Sequence, residues 1–220
     1  FWMQSTLPAN KLDMTRLTHV VHAFAWPTAS GELEYPNNLL NPELEQVVHA
    51  NGNYLLLSLG GAGYSGGFAA MTADSAARQK FVGTLLQFCV NNNYDGVDID
   101  WEFPSTIVEK IGLNLFVKEL REEFSKLMRP QPLFISMAVP PGNWFGQWFD
   151  FAELNNYVDW FGCMTYAFHG EWSSHAGHNS PLYASGGDGC GSCDSGIRYL
   201  TQTRGLPKDK VLLGVPFFGR

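Results

Sequence analysis

Charge is scarce in this chain: 16% of its 220 residues are Asp, Glu, Lys or Arg, and 14 basic residues face 21 acidic ones. The formal net charge of -7 argues against a nucleic-acid backbone or an anionic membrane surface as partner. No apolar run reaches the roughly 18 residues of a membrane-spanning helix. Gly61-Ala62-Gly63-Tyr64-Ser65-Gly66 fits G-x-G-x-x-G by letter, but no acid stands about 20 residues on and no P-loop lysine follows Gly60-Gly61-Ala62-Gly63, so neither a dinucleotide nor a nucleotide cradle is expected. Cysteines number 4. Cys89 and Cys163 fall in helical and strand patterns and read as small buried hydrophobes. Cys190 and Cys193 form one C-x-x-C in a Gly-rich loop. Lacking a second pair, it is weak evidence for zinc, and a loop disulfide or two thiols are the readings it leaves. The histidines show no metal-ligand spacing, and His169, His175 and His178 read as solvated or hydrogen-bonded loop residues. No metal and no cofactor are expected. No secretory leader is legible. The chain opens at Phe1 rather than at a methionine, so a preceding segment is expected to be missing.

Apolar and aromatic residues are abundant, at 45% and 14%, enough for a sizeable core in one domain over residues 1–220. Strand and helix patterns alternate, the mark of a parallel α/β architecture. Strands are expected at Thr18 to Ala25, Tyr54 to Leu59, Asp95 to Glu102, Leu133 to Val139, Val158 to Tyr166 and Val211 to Phe217, with Phe1-Trp2-Met3 as the tail of another. Helices are expected at Pro42 to Ala50, Ala73 to Asn93, Val108 to Met128, Phe149 to Tyr157 and Asp194 to Thr203. In the third of these, Ile111, Leu115, Val117, Leu120 and Phe124 are expected inside, and Lys118, Glu119, Glu122 and Glu123 mostly outside. Ser58, Asp100, Glu102 and Tyr166 all fall near strand C-termini, where a (β/α)8 barrel carries its active site. A doubly wound sheet would do the same; the dinucleotide fingerprint, left without its following acid, favours the barrel.

One segment dominates the functional reading, Asp95-Gly96-Val97-Asp98-Ile99-Asp100-Trp101-Glu102-Phe103-Pro104. Side chains alternate along a strand, so Asp98, Asp100 and Glu102 share one face, with Val97, Ile99 and Trp101 on the other. Three carboxyl groups side by side cannot all ionise easily, and at least one pKa must rise. That suits a group that has to hold a proton at neutral pH.

The segment resembles the D-G-x-D-x-D-x-E signature of family 18 glycoside hydrolases, the chitinases and their relatives. Further landmarks agree in order: His22-Ala23-Phe24-Ala25, Leu57-Ser58-Leu59-Gly60-Gly61, Met164-Thr165-Tyr166, Asn179-Ser180-Pro181-Leu182-Tyr183 and Gly214-Val215-Pro216-Phe217-Phe218-Gly219-Arg220. The resemblance implies a TIM barrel that is incomplete here, with strand 1 truncated and strand 8 missing, and so a fragment of a catalytic domain. It implies a retaining mechanism assisted by the substrate's own acetamide, an exception to the two-carboxylate scheme. Glu102 would be the acid/base, Asp100 would orient the acetamide, and Asp98 would share a proton with Asp100. Tyr166 would donate to the acetamide oxygen, with Met164 walling its pocket. Phe24, Gly61, Trp26, Trp144 and Arg220 would contact substrate, Trp148 and Trp172 being further candidate stacking platforms. Trp101 reads as core.

Two departures from the family pattern stand out. Ala167 occupies the position of an aspartate that contacts the central sugar, which implies weakened activity or a moved pH optimum. Phe218 stands where tyrosine is common. The implied substrate is chitin or chitooligosaccharides, cleaved internally by a secreted monomer. An endo-β-N-acetylglucosaminidase on N-glycans, or a non-catalytic chitin-binding lectin on the same barrel, are the alternatives.

Overall fold

The structure, a computed structural model, describes residues 7–187 and 189–218. The expected strand at Phe1-Trp2-Met3 and the site residue Arg220 lie outside them. The chain divides into two compact units, residues 1–135 and 136–220. Its strands and helices alternate as a partial (β/α)8 barrel requires, and among the described residues β1, β3 and β4 run parallel to one another, as do β5, β6 and β7.

In the first unit the strands are β1 (His19–Pro27), β2 (Leu33–Glu34), β3 (Tyr54–Gly60) and β4 (Gly96–Asp100). Strand β1 pairs parallel with β3, and β3 with β4, while β2 folds back antiparallel on the end of β1. That short hairpin was not foreseen. The apolar run of β3 is buried from Leu55 to Gly60, as a strand covered on both faces should be. Helix α1 (Pro42–Ala50) is capped by Asn41, whose side chain accepts from Leu44 N at 3.1 Å, with Pro42 in the first turn. Two helices, α2 (Phe68–Ala73) and α3 (Ser75–Asn91), replace the single one expected; Asp74 ends α2 and caps α3 through Ala77 N at 2.7 Å. Helix α4 (Ile107–Ser125) is capped by Thr106.

The buried face of α4 differs from the expected one. Leu113, Phe116, Val117, Leu120 and Phe124 are inside, whereas Ile111 is 53% and Leu115 40% exposed. Two packing demands set the rotation. Gly112 lies against Thr72, where a Cβ would come within 2.6 Å of Oγ1. Glu119 must also reach the buried Arg78, which it clasps with two hydrogen bonds of 2.8 Å while Arg78 Nη1 donates to Thr72 O. Glu119 is therefore a structural ion-pair partner rather than an outward-facing residue.

The second unit holds most of β5 (Phe134–Val139), then β6 (Trp160–Cys163) and β7 (Val211–Leu213), all parallel. Short helices α5 (Asn143–Gly146), α6 (Phe151–Leu154) and α7 (Cys193–Arg198) connect them. Both β6 and β7 are shorter than expected. After Cys163 the chain turns: Thr165 N donates back to Cys163 O, and Thr165 Oγ1 donates to Gly214 O at 2.7 Å. No helix among the described residues is long and apolar enough to cross a membrane.

Candidate active site

The carboxyl cluster is built at the C-terminal ends of β3 and β4. Register pairs Ser58 with Asp98 and Gly60 with Asp100. Ser58 Oγ donates to Asp98 Oδ2 at 2.8 Å across that register pair. Strand β4 stops at Asp100 rather than running to Glu102, because the loop after β3 takes over its hydrogen bonds. Gly61 N donates to Asp100 O at 2.7 Å, and Glu102 N donates to Ser65 Oγ at 3.0 Å. Ser65 Oγ is within donating distance of Gly61 O and Asp100 O, at 3.2 and 3.4 Å. Ser65 thus ties the chain on either side of Trp101 to the glycine loop. The peptides Ala23–Phe24 and Glu102–Phe103 are cis.

Only glycine fits that loop. Gly60 has φ 103°, and a Cβ there would sit 2.4 Å from Asp100 O. Gly61 has φ 83°, and its Cβ would fall 2.6 Å from the Phe24 ring. Side chains disfavour this backbone region, so the glycines let β3, β4 and Phe24 close together. Beyond Phe24, Tyr64 stacks on Trp26 with centroids 4.6 Å apart, and Trp26 Nε1 donates to Glu34 Oε2 at 3.0 Å. Trp26 of the β1–β2 hairpin and Tyr64 of the loop after β3 thus form a half-buried aromatic pair. Trp101 is core, as expected: 4% exposed and stacked on Phe68.

Burial raises the pKa values of Asp100 and Glu102. Burial, reinforced by the charges of Asp98 and Glu102, holds the Asp100 carboxyl well above its ordinary 3.8. Burial also raises Glu102, although the Ala62 backbone N–H donates to its carboxylate and pulls the other way. Like charges crowded in a desolvated place keep a proton among them. Asp100 Oδ1 is buried and has no hydrogen-bond partner among the described residues.

Met164, Tyr166 and Trp144 belong to the second unit. Met164 N donates to Val139 O, prolonging the β6 ladder by one residue, and Tyr166 lies just beyond. The Tyr166 ring packs over Gly214, where a Cβ would come within 2.9 Å of it, and meets Phe218 edge-on at 5.8 Å. Phe218 therefore keeps an aromatic contact with Tyr166. Ala167 adopts φ 56°, and its N–H donates to Asn179 Oδ1 at 2.9 Å. Trp144 is 81% exposed. None of the four cysteines is disulfide-bonded. Cys193 is buried with its thiol toward Thr165 O, while Cys190 is exposed. Of the two readings left for His169 and His175, solvated or hydrogen-bonded, the structure shows the second. His169 is buried, and its Nε2 lies 3.3 Å from that of His175.

The sequence reading missed Ser65, Tyr64 and Glu34, and named Asn179 only as part of a family landmark. Only the glycine run before Tyr64 hinted at a loop pressed against its neighbours.

The family model for glycosyl hydrolases of family 18 matches residues 2–220. The chain belongs to that family. Among curated relatives, a probable endochitinase of Caenorhabditis elegans is 32% identical over 223 residues, covering 92% of this chain and 36% of the relative. Among solved structures, a Group IV chitinase of Ostrinia furnacalis in complex with allosamidin has a TM-score of 0.88 at 28% identity, covering 96% of this chain and 61% of that one. A chitinase-like agglutinin of Robinia pseudoacacia also has a TM-score of 0.88, at 26% identity, covering 99% of this chain and 68% of the other. The chain spans less than half the length of the curated relatives it matches.

Proposed function

We propose that the protein hydrolyses β-1,4 links between N-acetylglucosamine units of chitin with retention of configuration, and that Glu102 is its acid/base. The observation that carries this reading is the pair of carboxyls, Asp100 at the end of β4 and Glu102 just beyond it, both of whose pKa values burial raises. A general acid works best when its pKa lies near the working pH, and burial moves Glu102 in that direction. In the first step Glu102 gives its proton to the glycosidic oxygen as the acetamide oxygen attacks the anomeric carbon. The bond to the leaving sugar breaks, and a cyclic oxazolinium forms. In the second step the Glu102 carboxylate takes a proton from water, whose oxygen attacks the same carbon and reopens the ring. Asp100 orients the acetamide N–H, and its buried oxygen without a protein partner suits a polar group on the substrate. Asp98, fixed by Ser58, takes up the proton that Asp100 releases as positive charge develops. Tyr166 and Met164 take the roles that the family resemblance assigns them, and Trp26 and Trp144 serve as platforms for sugar faces.

Cleavage of a fluorogenic chitooligosaccharide by the full-length protein, with Glu102→Gln beside it, is the test. Turnover that disappears in the variant, with binding retained, is expected. Equal turnover in both would remove Glu102 from the chemistry. A second reading, a chitin-binding lectin, is favoured by Ala167 and by the likeness to an agglutinin. Binding of chitin by both proteins with no reducing ends released by either would establish it.

A further inference from the structure

We propose that His169, His175 and Cys190 form a zinc-binding site in the loop that follows β6. The three ligand atoms lie within 4.8 Å of one another. His169 is the anchor: it is 4% exposed, and its Nδ1 sits 3.1 Å from His178 O. A carbonyl oxygen only accepts, so Nδ1 carries the proton and Nε2 presents a lone pair. Fixing the far nitrogen by a backbone carbonyl is how proteins commonly orient a metal-ligating imidazole.

His169 Nε2 faces His175 Nε2 at 3.3 Å. Two imidazoles can satisfy that arrangement by one hydrogen bond, if His175 is the donor. The spacing has a second meaning. Two Zn–N bonds of about 2.0–2.1 Å at a tetrahedral angle place their nitrogens about 3.3 Å apart. The histidine pair is therefore already at the edge length of a zinc tetrahedron. With a Zn–S bond of about 2.3 Å, the sulfur must come to about 3.6 Å from each nitrogen, a shift of at most about 1.2 Å from the 4.8 Å bound. Cys190 is exposed and flanked by Gly189 and Gly191, the latter at φ 107°, so the backbone can supply it. Ser174 Oγ lies 3.3 Å from His175 Nδ1 and can fix the second imidazole. Two imidazoles and a thiolate suit zinc rather than magnesium or calcium, which take oxygen ligands. Three protein ligands leave a fourth position for water.

The ion would tie residue 169 to residue 190. Between them stands Asn179, whose Oδ1 accepts from Ala167 N and whose O accepts from Phe168 N. Zinc would thus brace the segment that holds the backbone just after Tyr166. This inference stands whether or not Glu102 is catalytic.

The test is titration of cobalt(II) into the reduced full-length protein, followed by displacement with zinc. One equivalent is expected to give tetrahedral d–d bands and a thiolate-to-cobalt charge-transfer band, both abolished by zinc. Cys190→Ser should lose the charge-transfer band, and Cys193→Ser should keep it. His175→Ala should weaken zinc binding by more than about tenfold, since losing even an outer-shell partner of a ligand costs about 10–100-fold. Wild-type circular dichroism of each metal-free variant separates lost ligation from lost folding. Absence of the one-equivalent band, or its survival in Cys190→Ser, would overturn the proposal.

Discussion

Replacing Asp100 with asparagine should make the protein more stable and less active at once. The substitution keeps the shape of a side chain buried beside two other carboxyls and removes only its charge. In the folded protein, burial first and then the charges of Asp98 and Glu102 raise the Asp100 pKa well above 3.8; in the unfolded chain it returns to about that value. Between these two values the folded state holds a proton that the unfolded state has released. Stability then falls as pH rises, by about 1.4 kcal/mol per pH unit for one proton, and levels off above the folded pKa. Asparagine does not titrate. The stability difference between variant and wild type should therefore be flat below about pH 4 and widen in the variant's favour by about 1.4 kcal/mol per unit above it. Glu102 titrates in both proteins and largely cancels in the difference. Urea unfolding read by tryptophan fluorescence, at half-unit pH steps, measures this directly. Turnover of chitooligosaccharide should drop in the same variant, because an amide cannot become the anion that stabilises an oxazolinium. A pH-independent difference, or a variant that weakens relative to wild type toward neutral pH, would refute the argument that Asp100 is held protonated.

Glu119→Gln should destabilise the fold by about 3–5 kcal/mol, the range for stranding one charge of a buried pair, since Arg78 is 6% exposed and bound bidentately; an unchanged urea midpoint would contradict it. His49→Gln tests a pH dependence of the same sign in a higher pH window, here from a group that stabilises when charged. Burial opposes the charged imidazole, but hydrogen bonds to Asp95 and Glu45 at 2.8 Å outweigh it and raise the pKa above 6.5. Its contribution is complete below about 6.5 and fades as pH rises through the higher folded value, so wild type should lead the variant in melting temperature at pH about 5.5 and lose that lead by about 9. Ala167→Asp should leave stability unchanged or raise it by up to about 1 kcal/mol, because aspartate tolerates the left-handed backbone better than alanine does; it should also raise turnover, and equal turnover at every pH would remove residue 167 from the reaction.

The parallel strands were legible because each is a short apolar run closed by glycine or proline, with a helix-period stretch after it. Where one sequence signal had to decide an orientation, it was less reliable. Ile111 and Leu115 fit an inward stripe on α4 as well as Leu113 and Phe116 do. The choice between the two faces is made by Gly112 against Thr72 and by the reach of Glu119 to Arg78, contacts 40 residues apart that periodicity does not contain. Strand ends were overestimated for a related reason. β4 and β6 stop where a loop atom, Ser65 Oγ, and the strand's own Cys163 O replace the neighbouring strand as hydrogen-bond partners. Hydrophobic alternation runs on past those points unchanged.

The carboxyl cluster shows how far a local pattern can carry a functional argument. Spacing two placed Asp98, Asp100 and Glu102 together, and crowding alone required a retained proton. It could not say which acid retains it. That depends on burial, which ranks first among the causes at both Asp100 and Glu102, and on Ser58, which reaches Asp98 from the neighbouring strand. Ala167 makes the complementary point. Read from the sequence it is a lost carboxylate. In the structure it is also an alanine held at φ 56° by Asn179, a backbone that glycine, asparagine or aspartate would adopt with less strain. The local fold thus keeps the conformation suited to the residue that the family pattern has there. Its chain path follows from the hydrogen bonds around Asn179 and Thr165, independently of the side chain at 167.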